Sequence, residues 1–241
     1  MNAIEARGLS KRFGQKTAVD HIHLQVEEGE LFALLGVNGA GKTTTIRMLS
    51  CLSAPTEGEC AVGGFDCRQQ AAQVKEIIGI SPQDTAVAEN LTVRENLNLM
   101  ARVHGLGKEK TEEMIALFRM EEVANSRAKT LSGGWKRKLS IAMALISQPK
   151  VLFLDEPTLG LDVLARRELW RVIEGLKGKV TVLLTTHYME EAEHLADRIA
   201  VMIAGRMAAV GTLQQLEEMT GKTGLEEAFV AIAEGSVGQD A

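Results

Sequence analysis

The 241-residue sequence predicts an α/β fold in which helices cover both faces of a parallel sheet. Short, continuous apolar runs recur along the chain with helical patterns between them, which is typical of parallel strands buried on both faces. Alternating apolar and polar runs near the N-terminus predict an additional small antiparallel sheet with one wet face. The middle of the chain shows helical patterns only, which predicts an inserted, all-helical subdomain.

The predicted strands form two groups. The alternating runs assigned to the antiparallel part are residues 4–9, 21–26 and 59–63. The continuous runs assigned to the parallel sheet are residues 31–35, 151–154, 180–184 and 199–203.

Helical patterns fill residues 90–147. Thr92 followed by Glu95 is a capping-box pattern that predicts a helix start. A second helix is expected near residues 109–118, and a third after Ser132. The first helix presents on one face Val93, Leu97, Met100 and His104. The side chains expected to face inward in the other two helices are Met114, Leu117, Phe118, Leu139, Ala142, Met143 and Ile146.

We predict that residues 1–241 form a single domain. Residues 1–89 and 148–241 are assigned to its core, and residues 90–147 to the helical subdomain. Beyond Gly205 we expect a strand and helices over residues 212–219 and 225–233, with residues 235–241 disordered.

The charge, the lengths of the apolar runs and the cysteine spacing argue against several classes of function. The formal net charge of -5 argues against broad nucleic-acid binding, which usually requires a basic excess. No apolar run approaches the roughly 20 residues that cross a bilayer, and no secretory signal is visible at the N-terminus. The three cysteines, Cys51, Cys60 and Cys67, lack paired-ligand spacing, and we expect buried, reduced thiols in the cytoplasm. His21 and His23 are expected at the surface.

A glycine-rich segment follows the apolar run 31–35 and leads into a helical pattern over residues 44–52. It reads Gly-Val-Asn-Gly-Ala-Gly-Lys-Thr-Thr over residues 36–44. Glycines let the backbone turn so that N–H groups point at phosphate oxygens, and the helix start adds its positive dipole end. The pattern predicts binding of ATP or GTP. Its candidate binding residues are Gly36, Asn38, Gly39, Ala40, Gly41, Lys42, Thr43 and Thr44.

Two of these side chains have distinct chemical roles. Lys42 can reach the β- and γ-phosphates, and the Thr43 hydroxyl can bind Mg²⁺.

Two carboxylates, Asp155 and Glu156, end the apolar run that starts at Val151, where α/β sheets place their ligands. We predict that Asp155 holds Mg²⁺ and that Glu156 polarises an attacking water.

A second candidate anion site precedes the third helix. Ser132 can cap that helix, and Gly133 and Gly134 expose N–H groups at its start. From these residues alone, an ordinary capped loop explains the pattern equally well. If it does bind an anion, the helix that carries it belongs to the inserted subdomain and need not fold onto the phosphate loop of its own chain.

Taken together in chain order, these segments resemble the ATP-binding subunit of ABC transporters over essentially the whole chain. The matching features are Phe13 as the adenine-stacking aromatic, residues 36–44 as Walker A, Gln83 as the Q-loop, 131–135 as the signature motif, 151–156 as Walker B, 158–162 as the D-loop and His187 as the switch histidine. The signature motif is the specific one, since Walker A and B recur in many nucleotide-hydrolysing families.

The resemblance implies that two copies pack head to tail, with each ATP between Walker A of one and residues 132–134 of the other. It also implies that Gln83 contacts magnesium or water and couples the site to a separate integral membrane permease, and that His187 orients Glu156. The subunit would lie on the cytoplasmic face of the membrane and bind no nucleic acid. Three of these residues can also be explained by structure alone. Phe13 can be a core residue, Gln83 an ordinary loop residue and His187 a helix cap.

Two residues depart from the family pattern. Trp135 replaces the glutamine that usually ends the signature motif, and Leu159 replaces the usual D-loop serine. The first substitution should leave phosphate binding intact, because the serine and glycines before it make the phosphate contacts. The second removes a hydroxyl near the seam between the subunits, which bears on communication between the two sites and on the turnover rate. The basic run over residues 136–138 is interpreted as a solvated face.

Residues 185–192 and 225–229 are similar to ATPase subunits of the branch that exports drugs, sodium, polysaccharides or lipids. The alternative function is a soluble ABC-type ATPase that acts on a non-membrane assembly. A small-molecule kinase is a third hypothesis, against which the signature motif argues.

Overall fold

The structure, a computed structural model, describes residues 1–237 as two sheets and the helices around them. The strands are β1 (Asn2–Phe13), β2 (Lys16–Glu27), β3 (Leu31–Leu35), β4 (Glu57–Val62), β5 (Phe65–Asp66), β6 (Ile78–Ser81), β7 (Val151–Asp155), β8 (Thr181–Thr186), β9 (Arg198–Ile203) and β10 (Arg206–Gly211). The helices are α1 (Lys42–Leu49), α2 (Ala71–Ile77), α3 (Val93–Val103), α4 (Lys108–Leu117), α5 (Gly133–Leu145), α6 (Val163–Glu174), α7 (Met189–Leu195), α8 (Leu213–Thr220) and α9 (Leu225–Val237).

The larger sheet has the strand order β10-β9-β3-β8-β7-β6. Its strands run parallel, except that β10 pairs antiparallel with β9. The smaller sheet has the order β2-β1-β4-β5 and is antiparallel. The α/β class, the parallel core and the antiparallel part predicted from the apolar patterns are confirmed.

Both faces of the larger sheet are covered. Along β3, Leu31, Ala33 and Leu35 pack into one hydrophobic cluster, whereas Phe32 and Leu34 pack into a second one. All five side chains are fully buried, which explains why the strand is apolar throughout instead of alternating.

Parallel pairing brings the carboxyl ends of three strands together. Leu35 at the end of β3 lies opposite Thr186 of β8, and Asp155 at the end of β7 lies opposite Thr185. The segments that follow β3, β7 and β8 therefore meet at one edge of the sheet, which is where such folds bind ligands.

Several predicted helices differ from the structure in detail. α1 begins at Lys42 and ends at Leu49, not at residue 52, because Cys51 has a left-handed backbone (φ 57°). The prediction that Leu117 faces inward is wrong, since its side chain is 47% exposed. The buried face of α4 carries Thr111, Met114 and Ile115 and continues at Phe118, and Leu117 lies off this face.

The chain's C-terminal part forms α9, which continues through Val237. The prediction of disorder is therefore wrong for residues 235–237, and residues 238–241 lie outside the described part of the chain. Cys60 and Cys67 are buried as predicted, whereas Cys51 is half-buried. His21 and His23 are exposed, as expected.

Candidate nucleotide-binding site

The phosphate loop connects β3 to α1 and requires its glycines. Gly39 and Gly41 have φ values of 85° and 108°, a left-handed region that other residues avoid. A Cβ at Gly41 would lie 2.6 Å from the carbonyl oxygen of Ala18, and a Cβ at Gly36 would collide with the carbonyl oxygen of Met202. The loop can therefore take this path only with glycine at these positions.

The N-terminus of α1 faces the loop, and no side chain in the described part of the chain caps it. The first N–H groups of a helix lack intrahelical acceptors, so this end remains available to an anion. A cavity of about 490 Å³ opens in front of it. The cavity is lined by Phe13, Lys16, Ala18, Asn38, Gly39, Ala40, Gly41, Lys42, Thr43, Thr44, Gln83, Glu156, Leu159 and His187.

Lys42 lies inside the loop, almost completely buried. Its Nζ donates to the carbonyl oxygen of Gly36 at 2.7 Å and lies 3.0 Å from Oε1 of Glu156. Because a buried charge is costly without a partner, the ammonium and the carboxylate stabilise each other here. The pair places the candidate phosphate-binding cation next to the candidate base.

Glu156 has a constrained backbone and two side-chain partners. Its φ of 49° is unusual for a residue with a Cβ, and its N–H donates to the Thr185 hydroxyl at 3.0 Å. Its Oε2 lies 2.7 Å from Nδ1 of His187, and its Oε1 faces Lys42. The carboxylate is thus oriented from both sides, as a base that activates one particular water must be.

Asp155 accepts two hydroxyl hydrogen bonds at the same oxygen. Thr43 Oγ1 donates to Asp155 Oδ1 at 3.1 Å, and Thr185 Oγ1 donates to it at 2.6 Å. Among residues 1–237, no group of three histidine, cysteine or acidic side chains could hold a metal by itself. Mg²⁺ prefers oxygen ligands and is usually held by one or two carboxylates together with substrate phosphates, so Thr43 and Asp155 fit it.

Thr185 is a site residue that the sequence analysis missed. It is fully buried at the end of β8, and its hydroxyl joins Asp155 to the backbone of Glu156. The sequence offered only a weak signal, because Thr185 directly follows the apolar run over residues 180–184. The pairing of Asp155 with Thr185 became visible only with the strand order.

Phe13 and Gln83, two residues that were predicted to contact the nucleotide or its metal ion, both line the cavity. The Phe13 ring is 55% exposed, so the reading of Phe13 as a core residue is wrong. Lys11 Nζ lies 5.1 Å from the ring centre. An exposed aromatic face beside a phosphate loop can stack on a nucleotide base. Gln83 is also exposed in the same cavity wall.

The signature segment lies elsewhere in the protomer. The Ser132 hydroxyl accepts from the Trp135 N–H at 3.5 Å and caps α5, as predicted. In the described part of the chain, residues 132–134 do not contribute to the wall of the phosphate-loop cavity. The second candidate anion site is therefore separate from the first.

The basic run after the signature is not a solvated face, and this interpretation was wrong. Arg137 and Lys138 are buried, and Lys138 Nζ lies 2.7 Å from Oε2 of Glu168 and 4.3 Å from the ring centre of Trp135. Only Lys136 of the three is partly exposed, next to Glu89. The difference arises because α5 packs against β6, α3, α6 and β7, which its sequence alone does not reveal.

Within residues 1–237, Arg137 donates only to backbone carbonyls. Its Nε donates to Pro157 O at 2.8 Å, and its Nη1 to Pro82 O at 2.5 Å. Its Nη2 donates to Asp155 O at 2.9 Å and also to Glu156 O. Burial lowers the pKa of Arg137, and the neighbouring carboxylates offset part of this effect.

The phosphate loop, the two acids at the end of a parallel strand of the same sheet and the uncapped helix define the class of P-loop proteins that bind nucleoside triphosphates. Comparison with known proteins narrows the class further. The model of the ABC transporter family matches residues 19–159. The chain belongs to this family.

Two curated relatives illustrate the likeness. The chain is 44% identical to the daunorubicin resistance ATP-binding protein DrrA3 of Streptomyces coeruleorubidus, over 91% of this chain and 71% of the relative. It is 42% identical to the Nod factor export ATP-binding protein I of Rhizobium etli, over 92% and 72% of the two chains. Some relatives are far longer, and the chain spans only 13% of the human phospholipid-transporting ATPase ABCA3.

Two solved structures share the fold. An ATP-binding subunit of an ABC transporter superposes with a TM-score of 0.86 at 30% identity, covering 95% of this chain and 99% of that one. A bacterial ABC transporter cassette solved as a dimer gives a TM-score of 0.79 at 26% identity, covering 87% and 98%. The prediction of an ATP-binding, ATP-hydrolysing ABC subunit is confirmed. No helix within residues 1–237 is long and apolar enough to span a membrane.

Proposed function

We propose that this chain powers an ABC-type exporter and that its complete ATPase site forms between two copies. The main support for this proposal is the set of residues that line the phosphate-loop cavity. It contains Lys42, Glu156 and His187, whereas residues 132–134, with their capped helix start, lie outside it. A second copy can supply this missing wall if the two copies pack head to tail. The dimeric cassette with the same fold supports this arrangement.

In this proposal the phosphates bind to the N–H groups of the loop and to Lys42. Lys42 now pairs with Glu156 Oε1 at 3.0 Å, and phosphate oxygens compete for the same ammonium. Nucleotide binding thus frees Oε1 to accept a proton from water. His187, 2.7 Å from Oε2, keeps the carboxylate in place. The water attacks the γ-phosphorus, the bond to the β–γ bridging oxygen breaks, and ADP and phosphate leave.

Thr43, Asp155 and Gln83 would hold Mg²⁺ in this site. The metal neutralises charge on the phosphate oxygens when bound. The two oxygens at Thr43 and Asp155 are already 3.1 Å apart and of the type that Mg²⁺ prefers. Gln83 is exposed and lines the same cavity, from where it can sense the bound nucleotide.

Export is the transport direction that the relatives support. One is a drug-resistance protein and another a Nod factor export protein, and both are ATP-binding subunits whose length this chain largely covers. We propose a separate integral membrane permease as the partner, with this subunit peripheral on the cytoplasmic face. We also propose that residues 90–147 form the helical subdomain that carries the signature segment within a single domain of residues 1–241.

The variant Glu156→Gln tests the catalytic assignment. The amide retains the shape of the side chain but cannot accept the proton from water, so ATP should bind while turnover falls by about 10²-fold or more. The measurement is ATP affinity beside phosphate release in the same preparation. Turnover close to that of the unmodified chain would remove Glu156 from the role of base.

A further inference from the structure

We infer that Arg137 is a positioning residue for hydrolysis, which holds the turn of Glu156 and the start of the Gln83 segment in one fixed arrangement. This inference rests on the proposed role of Glu156 as the base. Arg137 touches neither ATP nor water in this assignment, and it acts through the backbone of the two segments.

The contacts of Arg137 converge from two separate parts of the chain. Pro82, immediately before Gln83, gives one carbonyl, and the consecutive residues 155–157 give three. The side chain is only 3% exposed. A guanidinium has five N–H donors in a rigid plane, so one arginine can satisfy several fixed acceptors at once. A lysine ammonium at the same place has three donors and no such planar geometry.

The carbonyls that Arg137 holds belong to a strained turn. Glu156 has a φ of 49°, a conformation that persists in residues with a Cβ only when the surroundings enforce it. Thr185 holds the N–H of Glu156, and Arg137 holds the carbonyl groups of Asp155, Glu156 and Pro157. The direction of the Glu156 side chain, toward Lys42 and His187, follows from this doubly anchored backbone.

The position of Arg137 in the chain adds a second consequence. It lies in the second turn of α5, whose first turn is the signature segment. The Arg137 guanidinium therefore connects two parts of the proposed site. It belongs to α5, which we expect to contact the nucleotide bound by the partner copy, and it holds the turn of Glu156 in its own protomer. A shift of α5 relative to residues 155–157 therefore changes the three hydrogen bonds that Arg137 donates to them.

The hydrogen bonds from Arg137 to buried carbonyls could also serve only to stabilise the fold. A stabilising role and a positioning role predict different kinetics for variants of Arg137. A structural role affects stability and leaves the turnover of the folded molecules intact. A positioning role lowers kcat in molecules that still fold and bind ATP, because displacement of a base by about 1 Å costs on the order of 10²-fold in rate.

The test compares Arg137→Met with a control variant, Leu216→Ala, which also removes buried side-chain contacts, in the full chain. Leu216 is fully buried on α8 and does not line the nucleotide cavity. We expect Arg137→Met to lose about 10²-fold in kcat while its ATP dissociation constant changes by less than about threefold. Leu216→Ala should lower the melting temperature and keep kcat. Arg137→Lys should recover only part of the lost rate.

Arg137→Met turnover within about twofold of the unmodified chain overturns the inference, as does an equal loss of kcat in Leu216→Ala. If the methionine variant does not fold, Arg137→Lys carries the test, and full activity of that variant contradicts the positioning role. Glu156→Gln separates the two proposals. If it is inactive while Arg137→Met is normal, only the present inference fails; if it hydrolyses ATP normally, the proposed base is wrong.

Discussion

At the scale of single residues, several buried charged groups lie in or next to the nucleotide cavity, whereas Lys138 pairs with Glu168 and does not line that cavity. Lys42 and Glu156 pair with each other, and Arg137 is surrounded by carbonyl oxygens. Glu191 is a further buried carboxyl group. Trp170 Nε1 donates to its Oε1 at 3.1 Å, and burial raises the pKa of Glu191. The neighbouring hydroxyls of Thr186 and Thr158 offset part of the increase.

The raised pKa of Glu191 makes stability depend on pH with a definite sign. Between the ordinary glutamate pKa and the raised one, the folded state binds more protons than the unfolded state. The free energy of unfolding therefore falls as pH increases through this window. Glu191→Gln keeps an acceptor for Trp170 but cannot ionise, so the variant should gain stability relative to the unmodified chain as pH rises.

Urea unfolding from about pH 4 to about pH 8 measures this difference. Glu193→Gln is a suitable control, since Glu193 lies on the same helix and is exposed. A stability difference between Glu191→Gln and the unmodified chain that does not change with pH would contradict the expectation.

At the scale of elements, sequence patterns predicted helix starts better than helix faces. The capping box at α3 is present: the Thr92 hydroxyl accepts from the Glu95 N–H at 3.1 Å, and Glu95 Oε2 accepts from the Thr92 N–H at 2.8 Å. The Ser132 cap of α5 was predicted as well. Both depend on contacts within four residues, which a linear pattern contains completely.

Thr92→Ala should remove the cap of α3 and lower the free energy of unfolding by about 1 kcal/mol. The loss arises because the N–H of Glu95 loses its acceptor within the protein. Thr92→Ser, which keeps the hydroxyl, should retain most of the stability. Chemical denaturation of the three proteins at one pH gives the comparison, and equal losses in both variants would show that the hydroxyl is not the stabilising group.

Several elements were not located by the sequence analysis. α6 was expected only as a helix somewhere between two apolar runs, although Asp162 caps it by accepting from the N–H groups of Leu164 and Ala165 and its buried face carries Leu169, Trp170 and Ile173. α2 has one buried residue, Val74, and the strand β5 spans two residues. Elements this short are specified by the neighbours against which they pack.

At the scale of the whole molecule, the separation of the phosphate loop from residues 132–134 predicts complementation between two inactive variants. Lys42→Ala damages the loop, and Ser132→Arg blocks the signature segment. In a mixed dimer both lesions fall in one site, and the other site is intact. Random mixing of equal amounts should restore about one quarter of the unmodified activity.

Each variant measured alone at the same total concentration provides the baseline for this experiment. A mixture that stays at the average of the two variants would show that the copies do not share sites. Turnover per protomer that is unchanged on dilution of the unmodified chain would point to the same conclusion.

The sequence by itself determined the α/β class, the buried strands, the phosphate loop and the family. The strands and the phosphate loop rest on residues close together in the chain: four apolar side chains in a row, or glycines and a lysine within nine positions. The family rests on the order of such motifs between Phe13 and His187. Glu156 was identified from the two carboxylates that end an apolar strand, whereas Gln83 and His187 were identified through their place in the family's motif order. The structure brings all three to the same cavity.

Only the tertiary structure decided how distant segments meet. The Thr185 hydroxyl reaches Asp155 because β7 and β8 are neighbours, and Arg137 is buried because α5 packs between the segments of Pro82 and Pro157. A basic run at a helix start has the same local pattern whether water or backbone carbonyls surround it. Strand order and helix packing set that environment, and they are long-range properties that no short stretch of residues contains.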